Sequence, residues 1–321
     1  MRGAAAIGAA LWIGTLLRPA PLLAQGGETA GLLLGIPATA RAVGLGGAYA
    51  AVVGDEGSVF VNPAGLAPIR RLAVGASWER PVVGASLTSG AAALRVGRFD
   101  LGLGLLYLDF GTDSVFVPDP LSGGDVGTAT GETVTAFHAL AVGAVAYRRG
   151  MLSVGGSVKY LREYIGAGDS SAYSASGVGG DVGFAIAVFD IAALGAVVQN
   201  LGGDLRTSTG TPAPLPRTTR LGFTLNFIDP QGTLRLMATT DWVSPRSGES
   251  YWAFGFEGGA ASGGMGLVGR VGLAAGREAS DRSNVTWGGG VQVRGLRLDY
   301  AFQAFEALGE GAHRFGVRWA L

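Results

Sequence analysis

The chain of 321 residues contains no cysteine, which removes disulfides, thiolate nucleophiles and sulfur-ligated metals together. Only two histidines occur, His138 and His313, so a histidine metal site or general base has little to draw on. Charge is scarce: Asp, Glu, Lys and Arg make up 15% of the residues, against about 25% in an ordinary soluble domain. Net charge is zero and the basic residues are scattered, so the electrostatic footprint of a nucleic-acid binder is missing. Beyond the first two dozen residues, no apolar run approaches the roughly 20 residues of a spanning helix. Disorder is excluded by an apolar content of 48%.

What the chain does have is glycine, 57 residues of it, more than double average usage. Its N-terminus is also distinctive. Arg2 precedes the apolar stretch 4–17, Pro19 and Pro21 follow, and Ala24 offers a small residue for cleavage. That is the layout of a secretory signal peptide over 1–24, and export is expected.

From about residue 71 to the end, hydrophobicity alternates with period two. In "GLRLDYAFQ", Leu296, Leu298, Tyr300 and Phe302 share one face, with Arg297, Asp299, Ala301 and Gln303 on the other. The closing segment sets Phe315, Val317, Trp319 and Leu321 against Arg314, Gly316, Arg318 and Ala320. Comparable segments lie at 72–80, 82–97, 99–110, 132–147, 151–164, 176–189, 191–200, 220–227, 234–242, 252–257, 266–276 and 284–294. The polar stretches 111–131 and 202–216 read as loops. The pattern predicts an all-β protein of about 14 strands.

A soluble sandwich also alternates, but it buries its apolar face and shows charge outside. Here the second face is mostly Gly, Ala, Ser and Thr with intermittent charges, which suits the lumen of a barrel whose apolar face meets lipid. Trp78, Trp242, Trp252, Trp287 and Trp319 are expected near strand ends as girdle residues. The expected fold is therefore a transmembrane antiparallel β-barrel in the outer membrane, closed so that lipid meets no unpaired backbone. Outer-membrane lipid and the barrel assembly machinery are the partners such a fold needs; nucleic acid is not one.

Chemical motifs are weak. One G-x-G-x-x-G match, Gly264, Gly266 and Gly269, is of a kind this glycine content yields by chance, and strand residues follow it where a helix is needed. In the 40–67 stretch Gly44 and Gly46 fit the same pattern, but Tyr49 stands where the third Gly belongs. There is no phosphate-binding loop, no G-x-S-x-G and no H-E-x-x-H. His313 falls on the apolar face beside Phe315, as a rim residue does. No enzymatic activity, cofactor or metal is expected.

The alternation points Arg220, Arg235, Asp241, Glu257, Arg270, Arg297, Asp299, Arg314 and Arg318 into the lumen. They can form a slightly basic path for anions or a ligand carboxylate, or cross-strand pairs that neutralise one another, the second weighing more. Within residues 40–67, Asp55 can cap a short helical turn, and Asn62 before Pro63 can cap the next.

The run "ARAVGLGGAYAAVVGDEGSVFVNPAGLA" (40–67) resembles the N-terminal signature of PorV/PorQ-type outer-membrane proteins, relatives of the FadL-type barrels. "GAVVQNLGG" (195–203), "PLPRTTRLGF" (214–223) and the closing segment 296–321 extend the likeness over nearly the whole mature chain. The resemblance implies a 14-stranded barrel over 71–321 with residues 25–70 folded inward as a plug. Arg41, Gly44, Gly46, Gly47, Asp55, Asn62, Pro63 and Gly65 are then candidates for shaping and gating it. It further implies an accessory role in protein export or surface assembly of type IX kind, with secreted proteins as partners. The alternative is FadL-like passage of small hydrophobic molecules. The terminal Leu321, where many barrels end in an aromatic, and the scarcity of long loops depart from the family pattern; the latter weakens a large-cargo role.

Overall fold

The computed structural model describes residues 31–81, 84–118, 127–167, 170–189, 191–229, 232–277, 282–305 and 310–321. The expected signal peptide at 1–24 lies outside them. The strands are β1 (Leu72–Arg80), β2 (Ser86–Val96), β3 (Phe99–Pro118), β4 (Gly127–Arg149), β5 (Leu152–Ala167), β6 (Ser170–Val188), β7 (Ala192–Gly202), β8 (Arg206–Thr207), β9 (Thr218–Ile228), β10 (Leu234–Pro245), β11 (Tyr251–Ser262), β12 (Met265–Ala275), β13 (Arg282–Val293), β14 (Leu296–Phe305) and β15 (Glu310–Ala320). Each pairs antiparallel with its neighbours, and β15 returns to β1 with Ala73 opposite Ala320 and Arg80 opposite His313. The two-residue β8 pairs only with β6, leaving a closed ring of fourteen.

Alternation fixes which way each side chain points. Leu103, Leu105, Val158, Val182, Phe227, Phe256, Leu267, Leu298 and Phe315 are among the large apolar residues exposed on the outside. Closure leaves no unpaired edge, so this greasy exterior suits hydrocarbon. Trp78, Trp242, Trp252 and Trp319 lie near strand ends, but Trp287 sits in the middle of β13.

Two expectations need correction. Most of 111–131 is strand: β3 runs on to Pro118 and β4 starts at Gly127, paired as a two-stranded hairpin beyond the end of β2. Both faces of that hairpin are exposed, so the apolar/polar period that marks a half-buried strand is absent there. The inward face is also not uniformly small and polar. On β2 to β5 it carries buried Leu87, Leu106, Leu108, Leu140, Val142 and Leu161. The stretch 202–216 is mostly loop, and its Leu205 and Leu215 are buried against the same apolar wall.

Six turns at one end are short, including 97–98, 150–151, 263–264 and 294–295. The first strand starts and the last strand ends at that end, which in outer-membrane barrels is the periplasmic one.

Candidate functional site

Residues 31–70 precede β1 and lie inside the ring, where most residues from Ala38 to Ile69 are buried. The segment is built from short turns with side-chain caps, not from long helices. Thr39 accepts from Ala42 N to open α1 (Ala40–Gly44). Asp55 accepts from Gly57 N over the turn Glu56–Phe60, and Asn62 accepts from Ala64 N over Pro63–Leu66, with Pro63 at the first position. Gly46 and Gly47 have φ of 65° and 78°, and Gly54 donates to the Gly65 carbonyl at 2.8 Å, closing the middle of the segment.

The wall holds this segment from many sides. Asp241 accepts from both Tyr49 N and Ala50 N at 2.9 Å. Arg220 donates to Gly47 O at 2.9 Å and to Gln199, whose amide reaches Val61 O. Asn62 donates to Ala50 O at 2.7 Å and to Phe184 O on β6. Ser153 and Ser89 donate to Ala64 O and Ala38 O. Arg95 and Arg314 donate to Ala67 O and Pro37 O. Two close approaches require glycine in the wall: a Cβ on Gly272 would lie 2.6 Å from the Gly46 Cα, and one on Gly195 would lie 2.9 Å from the Ala51 Cα.

The charged side of the lumen is one connected network. Arg41 makes a bidentate pair with Glu257 at 2.9 and 3.0 Å and a further bond to Asp55 at 2.9 Å. Arg270, directly across β11 and β12 from Glu257, bonds it at 2.6 Å and Asp299 at 2.7 Å. Arg297 bonds Asp299, and Arg318 bonds Glu56 at 2.6 Å while standing 3.9 Å from Asp55. A second pair, Arg314 with Glu79, spans β15 and β1. Arg235 is exposed at the short-turn end, with Asn226 at 3.4 Å. The two carboxyls in the segment are driven apart. Burial raises Asp55, but Arg318, Arg41 and Arg297 outweigh it and hold the carboxyl well below the usual range. Burial and the neighbouring Asp55 carboxylate push Glu56 up against the pull of Arg318.

Other inward charges escaped the sequence reading. Lys159, the chain's one lysine, pairs with Asp181 at 2.9 Å and bonds Asn200, which itself holds Pro216 O in the 203–217 loop. Its signal was its position between Val158 and Tyr160, two outward residues. Arg95 pairs with Asp100. Glu163, with His138 at 3.7 Å, accepts from Gly31 N. His313 points outward and shares a 2.8 Å hydrogen bond with the Tyr300 hydroxyl. Among the described residues no three His, Asp or Glu side chains gather as a metal site.

No family model matches this sequence, and no curated protein does. Solved structures do match. The Ralstonia pickettii toluene transporter TbuX superposes with a TM-score of 0.58 at 17% identity, over 88% of this chain and 98% of its own. The Pseudomonas putida toluene transporter TodX gives 0.56 at 14%, over 87% and 96%. A Pseudomonas aeruginosa FadL homologue gives 0.55 at 13%, over 89% and 99%. At these identities the likeness is one of fold, and that fold is the FadL-like barrel; PorV/PorQ kinship is not distinguished within it.

Proposed function

We propose that the protein is an outer-membrane channel for passive passage of small hydrophobic molecules, with residues 31–70 acting as its plug. The observation that carries this reading is the apolar inner wall of β2 to β5. Buried Leu87, Leu106, Leu108, Leu140 and Leu161 give the lumen an apolar inner face of the kind that a small hydrophobic solute can use. Against that wall the segment places Leu33, Val59 and Leu66. These side chains hold the ground a solute would occupy, so passage requires the segment to shift.

The fold neighbours support the same reading, since two of them are toluene transporters. The accessory role in type IX export gains nothing from these neighbours and is not adopted. A non-enzymatic protein, exported by the N-terminal signal and inserted by the assembly machinery, is part of the proposal.

The test is reconstitution of the full-length barrel in liposomes, with uptake of toluene and of glucose measured side by side. Toluene uptake above that of empty liposomes, with glucose excluded, is expected. A barrel that migrates as folded in unboiled electrophoresis yet admits no apolar solute would refute the reading.

A further inference from the structure

The outer face of β2 to β6 is uneven near the short-turn end. Leu103 stands opposite the small Ala92 and Gly143, and Gly156 stands opposite Val145 and Val182. The small residues floor two grooves of about 770 and 590 Å³, which share Val145, Gly156 and Val182. Both open outward, because the inner side of this wall is filled: a Cβ on Gly102 would meet Leu66, and one on Gly155 the backbone of Ala64. Gly156 is four residues from Leu152 at the turn, about 13 Å along the strand. That depth falls within the roughly 15 Å of one hydrocarbon leaflet.

Beyond the grooves, at the turns, arginines gather. Arg70 and Arg71 lead into β1, Arg98 lies in the β2–β3 turn, and Arg148 and Arg149 end β4. Backbone bonds set these ends side by side: Arg95 N donates to Arg71 O at 2.9 Å, and Arg148 N to Arg98 O at 3.1 Å. Among the described residues, the one Asp or Glu in these turns and the adjoining ends of β1 to β5 is Asp100. It is fully buried, and Arg95 bonds both of its oxygens. Arg70, Arg71, Arg98 and Arg149 are exposed and pair with no carboxylate among the described residues. Their charge is therefore surplus. Next to it on the lipid side, Phe99 and Tyr147 place contacting rings 5.3 Å apart, as interfacial aromatics do at headgroup level.

We propose that this face binds an anionic phospholipid of the periplasmic leaflet, its phosphate held by Arg98 and Arg149 and its acyl chains in the two grooves. Guanidinium suits phosphate because its planar fork donates two parallel bonds. Charge selects the headgroup. A net negative one gains about fivefold in affinity per arginine, whereas a zwitterionic one brings an ammonium that the same arginines repel. Two joined grooves suit a two-chained molecule and give a free anion nothing. The site lies on the outside of the barrel, so it does not depend on what crosses the lumen.

The experiment is native mass spectrometry of the full-length barrel released from detergent micelles. The probes are palmitoyl-oleoyl-phosphatidylglycerol, the phosphatidylethanolamine with the same chains, and glycerol 3-phosphate. Saturable retention of one phosphatidylglycerol is expected, with phosphatidylethanolamine held about tenfold more weakly and glycerol phosphate not at all. The double variant Arg98→Gln/Arg149→Gln changes two exposed residues without ion pairs. It should weaken phosphatidylglycerol about 25-fold and leave phosphatidylethanolamine unchanged. Gly143→Leu fills the larger groove from a position with nothing within 4 Å of its added Cβ, and should weaken both lipids. Heat-modifiable mobility is the folding control for each variant. Equal retention of the two lipids, glycerol phosphate held as tightly as phosphatidylglycerol, or wild-type retention in both variants would overturn the site. A lipid-free dimer would overturn it too, since a second copy would then cover the face. Toluene uptake by the same preparations reads the transport proposal separately.

Discussion

Replacing Gly272 by alanine should loosen the inner segment while sparing the barrel. A Cβ there would stand 2.5 Å from the Leu45 carbonyl carbon and 2.6 Å from the Gly46 Cα. Carbon atoms rest about 3.5–4.0 Å apart, so one backbone must retreat by about 1 Å. Gly272 is paired on both sides, with Gly255 and Thr286, and fourteen closed strands resist displacement more than a segment of short turns. The segment is the part expected to move, and its neighbouring Arg41–Glu257 bond stretches with it. Overpacking of this kind costs about 1–3 kcal/mol, which lowers the ratio of docked to undocked segment by roughly 5- to 150-fold. Gly269→Ala is the control: on the same strand, with nothing within 4 Å of its added Cβ. Limited proteolysis within residues 31–70 and single-channel conductance should both rise in Gly272→Ala alone, with heat-modifiable mobility retained in both variants. If the two variants behave alike in proteolysis and conductance, the tight wall contact does not hold the segment and the reasoning fails.

Three further outcomes are expected. Leu298→Arg places a cation on the lipid face and should cost about 2–4 kcal/mol in a refolding titration. Arg297→Leu should cost less, since Asp299 keeps its bond to Arg270; equal losses would overturn the assignment of faces. Asn62→Ala removes bonds to Ala50 O, Ala64 N and Phe184 O, and should cost about 1–3 kcal/mol of segment docking, read by protease protection. The two segment carboxyls predict an unusual pH response. Asp55, lowered on folding, stabilises docking above its unfolded value of about 3.9 and loses that only in stronger acid. Glu56, raised on folding, favours docking below its unfolded value of about 4.3 and loses that as pH rises through its folded value. Protection should therefore hold or increase from pH 7 to pH 4. Asp55→Asn should abolish protection at pH 7 while Glu56→Gln keeps it, and the reverse ranking would count against the sign of both shifts.

The barrel was legible because a wall with lipid on one side leaves a period-two trace, plain in 296–303 and 315–321. The trace vanishes where both sides share one solvent, which is why the hairpin at 111–118 and 127–131 read as a loop. It blurs where both sides are apolar, as in "LGLGLLYL" (101–108), and there the inner leucines went unseen. The caps at Asp55 and Asn62 could be read because their geometry is local. Partners such as Arg41 with Glu257 lie 216 residues apart, and one sequence holds no record of which inward charge meets which.

The seam between β1 and β15 has a consequence for assembly. Residues 73–80 meet 313–320, so the ring cannot close until the final strand is available, and the inner segment leads directly into the first one. The segment's contacts to the last strand can therefore form only at closure. Two of the last strand's arginines, Arg314 and Arg318, bond Pro37 O and Glu56 within it. The final strand thus completes the wall and fastens its contents in one step. Such non-local closure is slow by nature, and a chain truncated before β15 should leave the segment unsecured.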